Sequence, residues 1–97
     1  MEIKLHEEGE KLVVEVIGRL DTLTAPELAS AIEDKNPKEM VIDLAQLEYI
    51  SSAGLRVLLT AQKKADEREG TLVVKNPNAV VRNVFKITGF DRNIRVE

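Results

Sequence analysis

The sequence lacks cysteine and tryptophan, and its 97 residues include one histidine, one tyrosine and two phenylalanines. Without cysteine the chain forms no disulfides, offers no thiolate to a metal and has no cysteine nucleophile, which fits a reducing compartment. So few aromatic rings also argue against a surface on which bases or sugars stack. Thiol chemistry and aromatic stacking are thereby excluded.

The usual catalytic signatures are absent as well. His6, the only histidine, lies among charged residues of a predicted edge strand, which gives a Ser-His-Asp arrangement little to build on. The sequence contains no G-x-S-x-G, P-loop or G-x-G-x-x-G motif, and its acidic residues do not cluster as a Mg²⁺ site requires. We therefore expect a binding protein and not an enzyme, without cofactor or metal.

The charge and the hydropathy of the chain limit the possible binding partners further. The formal net charge is −3, and the basic residues Lys63, Lys64 and Arg68 are interleaved with acidic ones, as on a solvated helix face. We therefore expect no direct contact with nucleic acid. No apolar run approaches the ~20 residues of a membrane span. Residues 1–97 are expected to form a single domain in the cytoplasm.

The spacing of apolar residues predicts the order β-β-α-β-α-β-α, and the final "NIRVE" allows one more short strand. The first two strands form an antiparallel hairpin around Gly9. "EMVIDL" is near-continuously apolar, which is typical of a strand covered on both faces, and "TLVVK" is a further buried strand. Strands joined through helices run parallel. The expected fold is α/β, a mixed four- to five-stranded sheet with an N-terminal antiparallel hairpin, flanked by α-helices.

The segment "DTLTAPEL" marks the start of the first helix. Thr24 as N-cap and Glu27 three residues later fit a capping box, and Pro26 falls in the first turn, where its missing N–H costs little. Leu23 and Leu28 fit a hydrophobic staple across this start. These patterns predict that Leu23 packs against the helix.

The other two helices have marked ends. The second begins at Ser52 and is closed by Gly70, and the third begins with Asn76 as its cap and stops at Gly89. Five large apolar side chains on these segments are assigned to packing: Leu55, Leu58, Leu59, Phe85 and Phe90.

The stretch "SSAG" joins a buried strand to the second helix and contains one serine more than a helix cap needs. A cap contributes ~1 kcal/mol, so a structural role for Ser51 or Ser52 is the first interpretation. Gly54, however, lies in the first turn, where glycine costs ~1 kcal/mol relative to alanine. Ala53 and Gly54 are small enough for a partner's backbone to approach. An exposed hydroxyl at the positive end of a helix is also a favourable place for a phosphoryl group.

Three segments, "GRLDTLTAPEL", "VIDLAQLEYISSAGLRVLL" and the late "KITGFD", together resemble the anti-sigma factor antagonists (anti-anti-sigma factors), bacterial members of the STAS domain superfamily. The resemblance covers essentially the whole chain, with the segments in the right order. It implies a small mixed sheet flanked by helices, in agreement with the fold expected above, and an activity that consists of binding.

The resemblance also implies a partner-switching role. In this family the unphosphorylated protein captures an anti-sigma factor that is also a histidine-kinase-like serine kinase, and a sigma factor is released. The kinase phosphorylates a serine at the start of the second helix, which breaks the complex, and a PPM-type serine phosphatase restores it. These two proteins are the implied partners, and we expect the free protein to be a monomer without a membrane partner.

Carried over by position, the resemblance makes Ser52, two residues before Gly54, the phosphoacceptor. Ser51 is the alternative acceptor, because many members have an aspartate at that position and this chain has a second hydroxyl. Asp21 corresponds to an acidic position beside the acceptor, although supporting its own turn is a plain structural alternative. The residues implied to contact the partner are Asp21, Thr22, Thr24, Ser51, Ala53, Gly54 and Arg56.

Two other functions stay open for the same fold. One is a STAS regulatory subunit of another signalling or lipid-transport assembly, which is not phosphorylated. The other is sensing of a small ligand or nucleotide by the same surface, although no glycine-rich phosphate cradle supports it. Whether a kinase and a phosphatase act on Ser52 distinguishes these functions from the first.

Overall fold

The chain alternates strands and helices in the predicted order, with one strand added. The computed structural model describes residues 1–97 and contains six strands, three α-helices and one short 3-10 helix. The strands are β1 (Glu2–Glu8), β2 (Lys11–Leu20), β3 (Glu39–Asp43), β4 (Leu47–Ile50), β5 (Thr71–Lys75) and β6 (Arg95–Val96). The helices are α1 (Ala25–Ile32), α2 (Ser52–Glu67), α3 (Ala79–Thr88) and the 3-10 helix Phe90–Arg92.

The strands form one mixed sheet in the order β1-β2-β3-β5-β6, and β4 pairs with β2 outside this path. β1 and β2 are antiparallel, with Glu8 opposite Lys11, which confirms the predicted hairpin around Gly9. All other strand pairs are parallel. The predicted α/β class and mixed sheet are confirmed, with six strands in place of four or five.

β4 is the strand that the sequence pattern did not reveal. β2 is 10 residues long, and its first half pairs with β3 while residues 18–20 pair with β4. The register shifts between Gly18 and Arg19, where the strand changes partner. Because β4 has only 4 residues, its periodicity is too short to stand out from a linker. Its pairing places Ile50 opposite Leu20, and this pair positions the start of α2.

The helices cover one face of the sheet. A single cluster of 22 buried residues draws on all three helices and on alternate strand residues such as Met40 and Ile42. Val41 is buried but lies outside this cluster, because successive strand residues point to opposite faces. Met40, Val41 and Ile42 are all buried, which confirms the prediction that the strand in "EMVIDL" is covered on both faces. The rings of Phe85 and Phe90 stack within the core with their centroids 4.4 Å apart, which confirms their packing role.

The start of α3 lies two residues later than predicted. Asn78 is the cap, and its side-chain oxygen accepts a hydrogen bond from the Val81 N–H at 2.8 Å. Asn76 instead has a φ of +62° and donates from its side-chain amide to the Asp43 carboxylate at 3.1 Å. Both asparagines suit a cap, so the sequence alone favoured the one that precedes the proline.

The remaining helix ends agree with the sequence in part. α2 begins at Ser52 as predicted, but it ends at Glu67, three residues before Gly70. Gly89 ends α3 as predicted, with a left-handed φ of +73°. Leu59 is 39% exposed, so its assignment to the core is wrong. None of the helices combines the length and the apolar character that crossing a bilayer requires.

Candidate functional site

The candidate site lies where β2 and β4 end side by side. The two strands are parallel neighbours, so the segments that leave their carboxyl ends meet at one edge of the sheet. The Ser51 N–H donates to the Leu20 carbonyl at 2.9 Å, which ties the start of α2 to the last residue of β2. Residues 21–24 and 51–56, called here the strand-end surface, are thereby brought together.

The two serines have different roles in this geometry. Ser51 is the N-cap of α2: its backbone is extended, its hydroxyl accepts from the Gly54 N–H at 3.4 Å and its carbonyl accepts from the Leu55 N–H at 3.0 Å. Ser52 is the first residue of the helix, is exposed, and has no side-chain hydrogen bond within the protein. Because Ser51 already caps the helix, the Ser52 hydroxyl is free to react or to bind.

Gly54 allows close packing inside the protein, whereas its small size suggested a role at the surface. It is buried, and a Cβ atom placed there would lie 2.7 Å from the Leu20 Cγ and 2.9 Å from the Ile50 Cγ1. Contacts this short do not occur in real structures without movement of the neighbours, so glycine lets α2 approach the ends of β2 and β4. The expectation that this glycine opens the surface to a partner's backbone is corrected: it faces the interior.

Asp21 and Thr24 form a capping box three residues earlier than the predicted one. The Asp21 carboxylate accepts from the N–H groups of Leu23 at 3.0 Å and Thr24 at 3.1 Å, and the Asp21 N–H donates to the Thr24 hydroxyl oxygen at 2.9 Å. The Asp21 carbonyl also accepts from the Ala25 N–H at 2.8 Å, as the cap of a helix does. Thr24 makes no side-chain cap bond of its own, so the predicted box of Thr24 with Glu27 is wrong.

These hydrogen bonds fix the charge of Asp21. The Thr24 backbone N–H is the main cause that lowers the pKa of Asp21 below its ordinary value, with smaller contributions from the Thr24 hydroxyl, the Leu23 N–H and the Arg19 guanidinium. The Arg19 Nε lies 3.9 Å from the second carboxylate oxygen, and the same guanidinium stacks over the Tyr49 ring at 4.5 Å. The strand-end surface therefore carries an ionised carboxylate beside a guanidinium held in place by an aromatic ring.

Leu23 is exposed, although the sequence pattern predicts that it packs against α1. Its side chain is 85% exposed, so the predicted staple with the buried Leu28 does not form. The hydrogen bonds from the Leu23 and Thr24 N–H groups to the Asp21 carboxylate fold residues 21–24 into a turn ahead of α1, and the Leu23 side chain on this turn is exposed. An exposed leucine of this size beside an exposed Thr22 offers apolar area to a partner. The signal that could have revealed it was the second capping pattern, "DTLT".

The strand-end surface brings together most of the predicted contact residues. Ser52, Thr22 and Arg56 are exposed, and Arg56 has no ion pair. The half-buried residues of this surface are Asp21, Thr24, Ser51 and Ala53. Gly54 is buried. No side chain of the protein accepts a hydrogen bond from the Ser52 hydroxyl. The arrangement suits modification and binding by another protein.

Comparison with known proteins agrees with this description. A family model described as "Mlab, STAS domain" matches residues 3–96. The anti-sigma-B factor antagonist of Listeria monocytogenes is 33% identical over 85 residues, which cover 84% of this chain and 75% of that protein. The chain therefore belongs to the STAS domain family and, within it, to the group of the anti-sigma factor antagonists.

Two further similarities support this placement. BtrV of Bordetella bronchiseptica, described as a candidate anti-sigma factor antagonist, is 47% identical over 64 residues, or 66% of this chain. The matched part spans only about half of that relative, 54% of its length. The crystal structure of an anti-sigma factor antagonist from Mycobacterium paratuberculosis superimposes with a TM-score of 0.87 at 28% identity, covering 98% of this chain and 83% of that one.

Proposed function

We propose that this protein, as a single domain over residues 1–97, is an anti-sigma factor antagonist switched by phosphorylation of Ser52. In its unmodified form it binds an anti-sigma factor that is also a histidine-kinase-like serine kinase, and so releases a sigma factor. The observation that supports this most strongly is that the two serines at the start of α2 have different structural roles. Ser51 caps the helix, and Ser52 presents a free, exposed hydroxyl next to it.

The electrostatics of the site suit a switch that acts on binding and leaves the fold intact. A phosphoryl group adds about −1.5 to −2 charges at neutral pH. At a helix N-terminus that charge is favourable by roughly 0.3–2 kcal/mol, so the fold of the modified protein should persist. Facing a partner carboxylate or nucleotide phosphate at ~5 Å, each pair of unit charges costs about 3 kcal/mol at an effective dielectric constant of ~20. That cost corresponds to roughly a hundredfold in affinity.

The chemistry of the switch would come from the partners. Phosphoryl transfer needs Mg²⁺, ATP and a residue that orients the acceptor hydroxyl, all of which a kinase supplies. A PPM-type phosphatase would return the protein to its binding form. In this scheme the protein is a substrate and a ligand, not a catalyst, and it acts in the bacterial cytoplasm together with the transcription machinery.

The test is phosphorylation of the purified protein by the histidine-kinase-like serine kinase of the same genome, with the modified residue mapped by mass spectrometry. We expect phosphate on Ser52, none on the Ser52→Ala variant, and continued modification of Ser51→Ala. The Ser51→Ala variant is the matched control, because it removes the neighbouring hydroxyl. Phosphate confined to Ser51, or no phosphate with any such kinase, would overturn the assignment.

One observation favours a second candidate, a STAS regulatory subunit of a lipid-transport assembly. The matching family model carries the description "Mlab, STAS domain", which does not itself name an anti-sigma factor antagonist. In such an assembly the strand-end surface would bind a transport protein constantly, and Ser52 would stay unmodified. Stable capture of a transport ATPase, unaffected by Ser52→Asp, would favour this second function.

A further inference from the structure

A cavity of about 260 Å³ lies between α1 and α2, next to the strand-end surface. Six of its lining residues are apolar: Ala29, Ile32, Met40, Ala53, Val57 and Ala61. It is partly open to solvent, so it is a groove in the surface and not an internal void. Its volume approaches the ~300 Å³ at which ligand pockets begin.

The lining of the cavity follows α2. Its lining residues on that helix run from Ala53 to Arg68, a distance of roughly 22 Å at about 1.5 Å per residue. Ala53, Val57 and Ala61 are the apolar residues of this lining on α2, and Ala29 and Ile32 line the cavity from α1. An apolar lining that follows one helix suits an extended alkyl chain better than a compact ring.

The polar rim of the cavity is basic although the protein as a whole carries a net charge of −3. Lys35, Arg56, Lys64 and Arg68 line it, against one acidic residue, Glu33. Lys35 is paired with Glu7 outside the cavity at 3.4 Å, whereas the other three cations have no ion pair. Three unpaired cations around an apolar cavity select for an anionic ligand.

Arg68 provides a second, independent indication. Its Nε donates to the Pro37 carbonyl at 2.7 Å, which fixes the guanidinium at one end of the cavity. Its Nη2 is buried and has no hydrogen-bond partner. A buried unsatisfied donor is unfavourable, and one on a charged group more so. A rotation of the guanidinium would bring Nη2 to the cavity surface, where a carboxylate oxygen would supply the missing acceptor through a charge-assisted bond.

We propose that this cavity binds a medium-chain fatty acid. The carboxylate is held by Arg68 and Lys64, one helical turn apart, and the alkyl chain extends along α2 past Ala61 towards Val57. This site is separate from the phosphoacceptor and does not depend on the function proposed above. Because Ala53 lines the cavity and follows Ser52, the bound chain would end close to the strand-end surface.

The test is a titration of the full-length protein with decanoate, followed by amide NMR below the concentration at which decanoate forms micelles. We expect saturable shifts centred on Ala29, Val57 and Ala61. Decanol, which has the same chain without the charge, is expected to bind at least about tenfold more weakly, as loss of a charge-assisted hydrogen bond predicts. No saturable shift, or shifts centred on another surface such as that around Ile87, would overturn the proposal.

Two neighbouring lysines give a matched pair of variants. Lys64→Gln removes a cation that lines the cavity, and Lys63→Gln removes an equally exposed cation of the same helix that does not. We expect Lys64→Gln to weaken decanoate binding roughly fivefold to tenfold and Lys63→Gln to leave it unchanged. Equal weakening by both would indicate attraction by overall charge and contradict a built site.

Discussion

The Ser51 N–H donates to the Leu20 carbonyl at 2.9 Å, and this bond joins the end of one strand to the start of the helix that carries Ser52. It holds Ser51 in the extended conformation of an N-cap, with its hydroxyl turned to the Gly54 N–H. Ser52 follows as the first helical residue and is exposed. The hydrogen bond between Ser51 and Leu20 thus makes Ser51 the helix cap and leaves the Ser52 hydroxyl exposed.

Replacement of the two serines should separate these roles. Ser51→Ala is expected to lower the free energy of unfolding by about 0.5–1 kcal/mol, because the cap bond to Gly54 is lost. Ser52→Ala should change it by less than about 0.5 kcal/mol, as for an exposed residue without partners. Urea unfolding of both variants beside the wild type measures the difference. A larger loss in Ser52→Ala than in Ser51→Ala would contradict the assignment of the cap.

Gly54→Ala should lower the free energy of unfolding, although helix propensity alone predicts that it raises it. In an open helix position alanine is better than glycine by about 1 kcal/mol. Here the added Cβ would meet Leu20 and Ile50 at less than 3.0 Å, so we expect a net destabilisation of roughly 1–3 kcal/mol. Thr60→Ala, at an exposed position of the same helix, is the control and should be neutral or slightly stabilising. Stabilisation by Gly54→Ala in urea unfolding would show that the glycine serves the surface after all.

The lowered pKa of Asp21 predicts an effect of acid on stability. A carboxyl group with a lower pKa in the folded than in the unfolded state contributes stability above its unfolded pKa of about 3.9. That contribution is lost as the pH falls through the folded value, when the carboxylate that accepts from Leu23 and Thr24 is protonated. The stability difference between wild type and Asp21→Asn should therefore be constant from about pH 5 to 7 and shrink below about pH 4. Urea unfolding as a function of pH checks this, and a difference that grows towards acid pH would contradict it.

Leu23 and Leu28 form a matched pair for testing surface against core. Leu23 is 85% exposed and Leu28 is fully buried. Leu28→Ala should cost roughly 2–5 kcal/mol of stability, and Leu23→Ala less than about 0.5 kcal/mol. If the complex with the kinase buries Leu23, Leu23→Ala should still weaken that complex by about 1 kcal/mol or more, because most of the buried apolar area of the side chain is lost. Calorimetric titration measures the affinity, and an unchanged affinity would place the interface elsewhere.

The sequence was sufficient for the alternation of strands and helices, since the hairpin around Gly9 and the apolar face of α2 have clear periodicity. It was insufficient where two local patterns compete. "DTLT" allows a box of Asp21 with Thr24, and "TAPE" allows one of Thr24 with Glu27; the observed choice also gives the Thr24 hydroxyl the Arg19 carbonyl as acceptor, at 2.8 Å. The same applies to the cap of α3, where two asparagines compete.

The site was predictable in location but not in detail. Adjacent serines before a helix indicate that one caps the helix and the other has a free hydroxyl. Only the pairing of β2 with the unpredicted β4 decides which of the two serines is the cap. Likewise, the sequence "SSAG" does not indicate whether Gly54 faces a binding partner at the surface or packs against Leu20 in the interior. Both answers depend on contacts between residues about thirty positions apart, and local sequence patterns do not record such contacts.

In the proposed switch, phosphate on Ser52 controls binding while the fold is unchanged. The most direct measurement is the affinity of the cognate kinase for the unmodified protein and for the protein phosphorylated on Ser52, with amide NMR spectra of both forms. We expect a loss of roughly a hundredfold or more in affinity, with spectral changes confined to residues near the start of α2. Equal affinity of the two forms, or a spectrum that changes throughout the core, would contradict it.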